Sequence, residues 1–419
     1  MNIRIEPRPL GGKVRIISSK SLSHRYVLAA GLAQGQSDIR NVLVSDDLKA
    51  TKNALSALGV RFEDTLINGG DFILRQDTID VMESGSTLRF MIPVSMLQPR
   101  TVTFTGRGRL DQRPLDVYET LFNKQGMTFS RPADAWLPLT VQGPLKAGYF
   151  PVPGDISSQF VTGLMFACPL LKKDSVIELT SPLQSKGYVD LTMDVLKRFG
   201  IHILKVDPFI YIKGGQSYQP QSLTVEGDFS QAAFFFVAGT VGQTIELSAL
   251  NPLTKQGDAA IVDILRKMGA DITYQTKEAT YLVKPSQTKG ITIDLADVPD
   301  LGPILMVLAA LSEGKTVFKH IKRLRIKESD RMEAMRRTLT SFGVNIKVLE
   351  DEAVIEGVTR LRGNQSFDSF GDHRIAMAIA IASQHADGPV TIENAGVVSK
   401  SFPDFFDIFQ TLGGVCHET

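Results

Sequence analysis

One phrase recurs six times along this chain: an apolar helix tail, then glycine, then the start of a strand. It reads LGVRF from Leu58, QGMTF from Gln125, FGIHI from Phe199, MGADI from Met268 and FGVNI from Phe342. A truncated copy, LGGVC, begins at Leu412. The glycines are Gly59, Gly126, Gly200, Gly269, Gly343 and Gly413, spaced 67 to 74 residues apart. A residue just past a helix end often adopts the left-handed conformation, which glycine takes without a steric penalty. So long a period is not that of a common solenoid repeat.

The segments before these glycines read as amphipathic helices, from SDDLKATKNALSAL to FPDFFDIFQTL. Each carries an acid near its start: Asp47, Asp116, Asp190, Asp258, Asp330 and Asp404. Acids there suit the helix dipole and can cap free N–H groups. A second, far more apolar helix recurs with the same period, as in SLSHRYVLAAGLAQG, SQAAFFFVAGTVG and DHRIAMAIAIASQHADG. These helices belong inside. A strand follows each: SDIRNVL, TVTFTG, SVIELTS, QTIELSA, KTVFKHI and PVTIENA. Each unit thus reads as buried helix, strand, amphipathic helix, strand, strand, and alternating elements of this kind build α/β layers.

The apolar helices open on polar residues. The starts are Ser19-Lys20-Ser21-Leu22-Ser23-His24-Arg25, Glu83-Ser84-Gly85-Ser86-Thr87 with Arg89, Ser157-Ser158-Gln159, a start near Asp300, and Gly371-Asp372-His373-Arg374. Serine or aspartate alone is an ordinary cap. A cap with a cation beside it, repeated, is an anion site at a helix N-terminus. The densest charge run, HIKRLRIKESDRMEAMRR at His320–Arg337, sets Lys327 and Arg331 four apart, where they can share a helical face.

Composition narrows the classes. The 419 residues suggest two or three domains. Lys and Arg total 46 against 45 Asp and Glu, so no basic excess points to nucleic acid. Two cysteines, Cys168 and Cys416, make neither a disulfide framework nor a metal-ligand spacing. No apolar run approaches a membrane span, and no P-loop or strand-linked GxGxxG occurs. A cytoplasmic monomer without nucleic-acid or membrane partners is expected.

The motifs SKSLSHR, ESGSTLRF, DQRPLD, SSQF, SKGYVD, VPD, KESDR and GDHRIAMA occur in one order over Lys13–Phe406. In this the chain resembles the 5-enolpyruvylshikimate-3-phosphate synthases. That resemblance implies two similar globular domains, each of three βαβαββ units, an inside-out α/β barrel with substrates in the interdomain cleft. It implies a discontinuous domain of 1–18 plus 227–419 and a continuous one of 19–226. It implies transfer of the enolpyruvyl group of phosphoenolpyruvate to the 5-hydroxyl of shikimate 3-phosphate by addition and elimination, with no metal or organic cofactor. Lys20, Ser21, Arg25, Ser157, Ser158, Gln159, Ser185 and Lys327 match shikimate 3-phosphate ligands. Lys20, Gly85, Arg113, Gln159, Arg331 and Arg374 match the phosphoenolpyruvate site. Asp300 matches the proton acceptor at the 5-hydroxyl and Glu328 the acid/base at the methylene carbon, with Lys20 also catalytic and His373 in support.

The chain departs from one branch of that family in three places. Glu83-Ser84-Gly85-Ser86 stands for Asn-Ala-Gly-Thr, Arg323 for an asparagine ahead of KESDR, and Lys400 for a late lysine that aligns only with a shift. Arg323 and Lys400 join the candidates on that basis, for shikimate 3-phosphate and phosphoenolpyruvate respectively. Two rivals stand beside this reading: an enolpyruvyl transferase acting on UDP-N-acetylglucosamine, and a non-catalytic ligand-binding paralogue. Against the first, Cys168 lies in an apolar helix rather than a loop, and the N-terminal motif is Lys-Ser, not Lys-Asn. Against the second, Lys20, Asp300, Lys327, Glu328 and Arg374 are all present.

Overall fold

All six repeat glycines adopt positive φ, from 69° at Gly126 to 106° at Gly269. The period therefore marks real helix ends in the computed structural model, which describes residues 1–70 and 72–419. The described residues form twelve α-helices: α1 Lys20–Leu32, α2 Asp46–Ala57, α3 Gly85–Ser95, α4 Asp116–Lys124, α5 Ser158–Ala167, α6 Lys186–Arg198, α7 Phe229–Val241, α8 Ala260–Met268, α9 Gly302–Ala310, α10 Arg331–Ser341, α11 His373–Ala382 and α12 Phe405–Thr411. They alternate in kind. The odd-numbered helices have no exposed residue, whereas the even-numbered ones bury one face. Phe234, Phe235 and Phe236 of α7 are fully buried, each worth about 1.5–3 kcal/mol of transfer free energy.

The described strands form six four-stranded sheets with one plan. In the regular case Tyr149–Val152 lies parallel to Ser175–Leu179, which pairs antiparallel with Phe209–Ile212, which pairs antiparallel with Ile203–Val206. Chain order within a unit is strand, buried helix, strand, amphipathic helix, hairpin, so each unit is βαβαββ. The opening strand of each unit escaped the sequence reading. Thr78–Asp80 and Thr292–Asp294 are three residues long, too short to display alternation.

The chain divides into two compact units, Ser18–Val225 and Met1–Ile17 with Glu226–Thr419. Each closes its set of three sheets with a borrowed strand. In the first, Ser222–Thr224 lies parallel to Gly35–Arg40 and supplies the opening strand that α1 lacks. In the second, Gly12–Arg15 does the same beside Ile245–Ser248. The N-terminal strand Ile3–Glu6 also slots between Val390–Glu393 and Val415–Glu418. The truncated copy at Leu412 is thus completed by the other end of the chain. Within the second unit α7, α9 and α11 pack on one another, and in the first α3 packs on α5. Helices fill the interior and sheets form the walls, the inside-out arrangement.

The repeat acids mostly do not cap. Asp330 accepts from the Glu333 N–H at 3.0 Å. Asp116 and Asp404 make no side-chain cap bond, and Asp190 lies beyond the first turn of α6. The cap of α2 is Ser45, not Asp47, and Asp258 sits buried in a 3₁₀ turn ahead of α8.

Candidate active site

In the unit Ser18–Val225 the polar starts of α1, α3 and α5 are knitted by side chains. Ser19, Ser84 and Ser157 cap their helices through their hydroxyls. Lys20 Nζ lies 3.1 Å from Asp47 Oδ2, both side chains mostly buried. Arg25 is buried among neutral acceptors. Its Nη1 donates to Ser21 O at 2.9 Å, Nη2 to Tyr188 O at 3.1 Å and Nε to Thr192 Oγ1 at 2.9 Å. Burial lowers the Arg25 guanidinium to about 10, so it stays charged at neutral pH. Ser185, at the start of α6, is buried with φ 55°, a strained conformation for a non-glycine residue, and its carbonyl accepts the Tyr188 N–H. Gln159 is gripped at both ends of its amide, accepting from Arg89 Nη1 at 3.0 Å and donating to Ser86 Oγ at 2.9 Å. A Cβ built on Gly85 would stand 2.4 Å from Arg113 Nη1, so Arg113 lies against the α3 start and only glycine leaves it that space. Ser158 is buried at the first position of α5.

The unit of Met1–Ile17 and Glu226–Thr419 holds a network centred on Arg331, which is 1% exposed. Its Nη1 donates to Asp300 Oδ1 at 2.7 Å, its Nη2 to Glu328 Oε2 at 2.7 Å and its Nε to Asp372 Oδ2 at 2.8 Å. Burial works against the Arg331 charge, but the three carboxylates outweigh it and raise its pKa. Burial likewise opposes the Asp372 charge, and Arg331 with His373 overcomes it, holding Asp372 below the usual carboxylate range. Lys327 Nζ lies 3.1 Å from the same Asp300 oxygen. Burial pushes Lys327 down to about 8, with Arg323 and Arg331 adding to the effect and Asp300 and Glu328 opposing it. Arg374 donates from Nη1 to Asp300 O at 3.0 Å and from Nη2 to Ser230 Oγ at 2.8 Å. Arg323 is buried in the 3₁₀ turn Lys322–Ile326. Lys400 Nζ reaches Gly371 O at 3.0 Å, just ahead of α11, and His373 is buried in that helix's first turn.

One expectation changes. Lys327 and Arg331 do not share a helical face: α10 begins at Arg331 and Lys327 precedes it. They meet instead at Asp300. That residue lies in the 3₁₀ turn Pro299–Leu301 and does not cap α9, because its carboxylate is drawn to the two cations. Several positions in these networks were absent from the candidate set: Arg89, Asp47, Ser230, Asp258 and Asp372. Arg89 carried a signal, a lone guanidinium on an apolar helix. Asp47 and Asp258 stood out as repeat acids, but capping explained them too easily.

These geometries accompany close likeness to known proteins. Residues 5–409 match the family model for EPSP synthase (3-phosphoshikimate 1-carboxyvinyltransferase). A 3-phosphoshikimate 1-carboxyvinyltransferase of Clostridium novyi is 46% identical over 433 aligned residues, covering 100% of this chain and 98% of that one. The protein of that name from Clostridium acetobutylicum is 45% identical, covering 99% and 98%. Among solved structures, an EPSP synthase from Acinetobacter baumannii superposes with a TM-score of 0.83 at 26% identity over the full length of both chains. The enolpyruvyl transferase NikO from Streptomyces tendae, at 16% identity and a TM-score of 0.79, shares the fold.

Proposed function

The chain belongs to the EPSP synthase (3-phosphoshikimate 1-carboxyvinyltransferase) family, and on that premise we propose that it transfers the enolpyruvyl group of phosphoenolpyruvate to the 5-hydroxyl of shikimate 3-phosphate, releasing phosphate. One observation carries the assignment of roles. Asp300 and Glu328 are fastened to the same buried guanidinium, Arg331, and Lys327 and Arg374 stand beside Asp300. Two carboxylates fixed in place suit a reaction that moves two protons. In the addition step the 5-hydroxyl oxygen bonds to C2 of phosphoenolpyruvate. Its proton passes to Asp300, and Glu328 delivers a proton to the methylene carbon. In the elimination step the bond from C2 to the phosphate oxygen breaks, a proton leaves the new methyl group for Glu328, and the departing phosphate takes up the proton held by Asp300, so that both carboxyls return to their starting state.

The cations meet the anionic substrates. Lys20, Ser21, Arg25, Ser157, Ser158, Gln159, Ser185, Arg323 and Lys327 serve shikimate 3-phosphate. Lys20, Gly85, Arg113, Gln159, Arg331, Arg374 and Lys400 serve phosphoenolpyruvate, and Lys20 serves both. Arg25 suits its part because its partners are neutral, which leaves its charge for a ligand phosphate. The two compact units act as the two domains, and the protein works as a cytoplasmic monomer on small molecules alone. No described helix is long and apolar enough to cross a membrane.

Phosphate release with both substrates present tests the reading. Turnover is expected only when shikimate 3-phosphate and phosphoenolpyruvate are supplied together, and a folded protein that stays idle with both would refute it. UDP-N-acetylglucosamine should not replace shikimate 3-phosphate. The Cys168 thiol is fully buried and pushed up to about 12, which leaves it no reactive role.

A further inference from the structure

Asp258 and Ser230 lie beneath the proposed donor-binding arginine, and neither has a part in the chemistry above. Both are buried, at 4% and 8% exposure, as is Arg374. Ser230 Oγ accepts from Arg374 Nη2 at 2.8 Å, and the same hydroxyl is bonded to Asp258 Oδ2. A hydroxyl has one proton to give. Arg374 offers only donors, so the Ser230 proton must go to Asp258, and that direction turns the oxygen lone pairs toward the guanidinium. If the proton pointed the other way, two donors would face each other in a buried site.

The platform is itself anchored. Gln256 Oε1 accepts the Phe229 N–H at 3.1 Å, and its Nε2 donates to Gly227 O and Glu226 Oε1, both at 2.8 Å. These bonds pin the turn carrying Asp258 to the start of α7, which carries Ser230. On its other side Arg374 is held by the Asp300 carbonyl. Burial, and then the charge of Asp300, push Asp258 up to about 6, while the Arg374 charge and the Ser230 hydroxyl favour the carboxylate that accepts. The other unit has a counterpart. Its repeat acid Asp47 also leaves the capping role and pairs with a proposed substrate cation, Lys20, with no hydroxyl between.

We propose that Asp258, acting through Ser230, is a positioning residue that aims the Arg374 guanidinium at phosphoenolpyruvate. The inference deepens the reading of the preceding subsection and rests on it for the identity of the ligand. Asp258 touches no reacting atom. It fixes which way a hydroxyl points, and the hydroxyl fixes an arginine.

The test compares Ser230→Ala, Ser230→Thr and Asp258→Asn with the wild-type enzyme. Ser230→Ala should raise KM for phosphoenolpyruvate by roughly tenfold, since a hydrogen bond to a charged group is lost. It should leave shikimate 3-phosphate binding unchanged and kcat within about threefold. Ser230→Thr keeps the hydroxyl and should restore most of the loss. Asp258→Asn, whose neutral amide accepts more weakly than a carboxylate, should raise the same KM by less than Ser230→Ala does, and add little in the Ser230→Ala background, because Asp258 acts through the hydroxyl. Should Asp258→Asn fail to fold, the Ser230 pair decides. A wild-type KM in Ser230→Ala, equal loss for both substrates, or no rescue by threonine each overturns the proposal. A crystal structure of Ser230→Ala provides an arm independent of activity: the guanidinium should leave its place, and an unmoved Arg374 overturns the positioning role whatever the substrates are. Wild-type enzyme idle with both substrates would instead sink the functional reading and leave that structural arm to decide.

Discussion

Arg25 and Arg331 are both buried guanidiniums with several hydrogen bonds, but their partners differ in kind. Arg25 donates to two carbonyls and a threonine hydroxyl and meets no carboxylate there. Arg331 touches three carboxylates. A buried cation among neutral acceptors keeps its charge for a ligand, and burial duly lowers its pKa. A buried cation among carboxylates is itself the scaffold that holds them apart and in place. Arg25 is left open to an anion, whereas Arg331 ties acids together.

The largest expected effect follows from that difference. Arg331→Met takes the guanidinium away from three carboxylates, of which Asp300 keeps Lys327 and Asp372 keeps Ser329, and breaking a buried ionic network from one side costs about 3–5 kcal/mol. Arg25→Met leaves only neutral groups unsatisfied, at about 1–3 kcal/mol. Urea unfolding of both variants measures the contrast. Equal losses would show that the two sites do not differ as described.

Next comes turnover. Glu328→Gln keeps the shape of the site but cannot shuttle the proton, so kcat should fall by about 10²–10⁴-fold with shikimate 3-phosphate binding retained. Arg25→Met should do the reverse, weakening shikimate 3-phosphate binding first. Single-turnover kinetics with calorimetric binding separates the two, and matching profiles for both variants would erase the division of labour between Arg25 and Glu328.

How much of this was legible follows from what sequence periodicity reports. The helix ends were readable because Gly59, Gly126, Gly200, Gly269, Gly343 and Gly413 all need positive φ, a local demand written at one position. The buried helices were readable because their whole circumference is apolar. The opening strands were not, since three or four residues cannot show a period. The borrowed strands Gly12–Arg15 and Ile3–Glu6 were not either, since pairing across hundreds of residues leaves no local trace. Lys327 and Arg374 stand in motifs, and the structure brings both to Asp300. Asp258 gives no signal because an acid before a helix has a sufficient local explanation, and Ser230 gives none because a serine in the first turn of a helix is ordinary. The alternative depends on a contact between Ser230 of α7 and Arg374 of α11.

A smaller effect lies in the pH dependence. Lys327, ordinarily near 10.5, is held down to about 8, chiefly by burial. If it binds shikimate 3-phosphate as the ammonium ion, affinity should fall as pH rises through about 8, approaching tenfold per unit beyond it. Lys327→Arg should carry that limb upward, toward the Arg25 range. Stability moves the other way. Between about 8 and 10.5 the unfolded chain holds a proton that the folded lysine has released, so this group makes stability increase with pH across that window. Calorimetric titration at several pH values, with Lys327→Met unfolding as the reference, reads both slopes. Binding that stays level from pH 7 to 9.5 would remove Lys327 from the ligand set.

The smallest effect separates two of the repeat acids. Asp330 of the second unit caps α10, its Oδ1 accepting the Glu333 N–H at 3.0 Å. Asp116 of the first unit stands in the first turn of α4 behind Leu115 and makes no cap bond. Both face the positive end of a helix dipole, and only one closes a hydrogen bond there. Asp330→Ala should therefore cost about 0.5–2 kcal/mol, and Asp330→Asn should recover much of it, because an amide oxygen can accept in the same place. Asp116→Ala should cost about 0.3–1 kcal/mol at low salt, and Asn should restore little, because what is lost is charge. Salt sharpens the distinction. Screening should shrink the Asp116 effect toward zero at about 1 M, where the Debye length is roughly 3 Å, while the Asp330 bond persists. If both losses fade together in salt, Asp330 acts through its charge and its cap bond contributes nothing measurable.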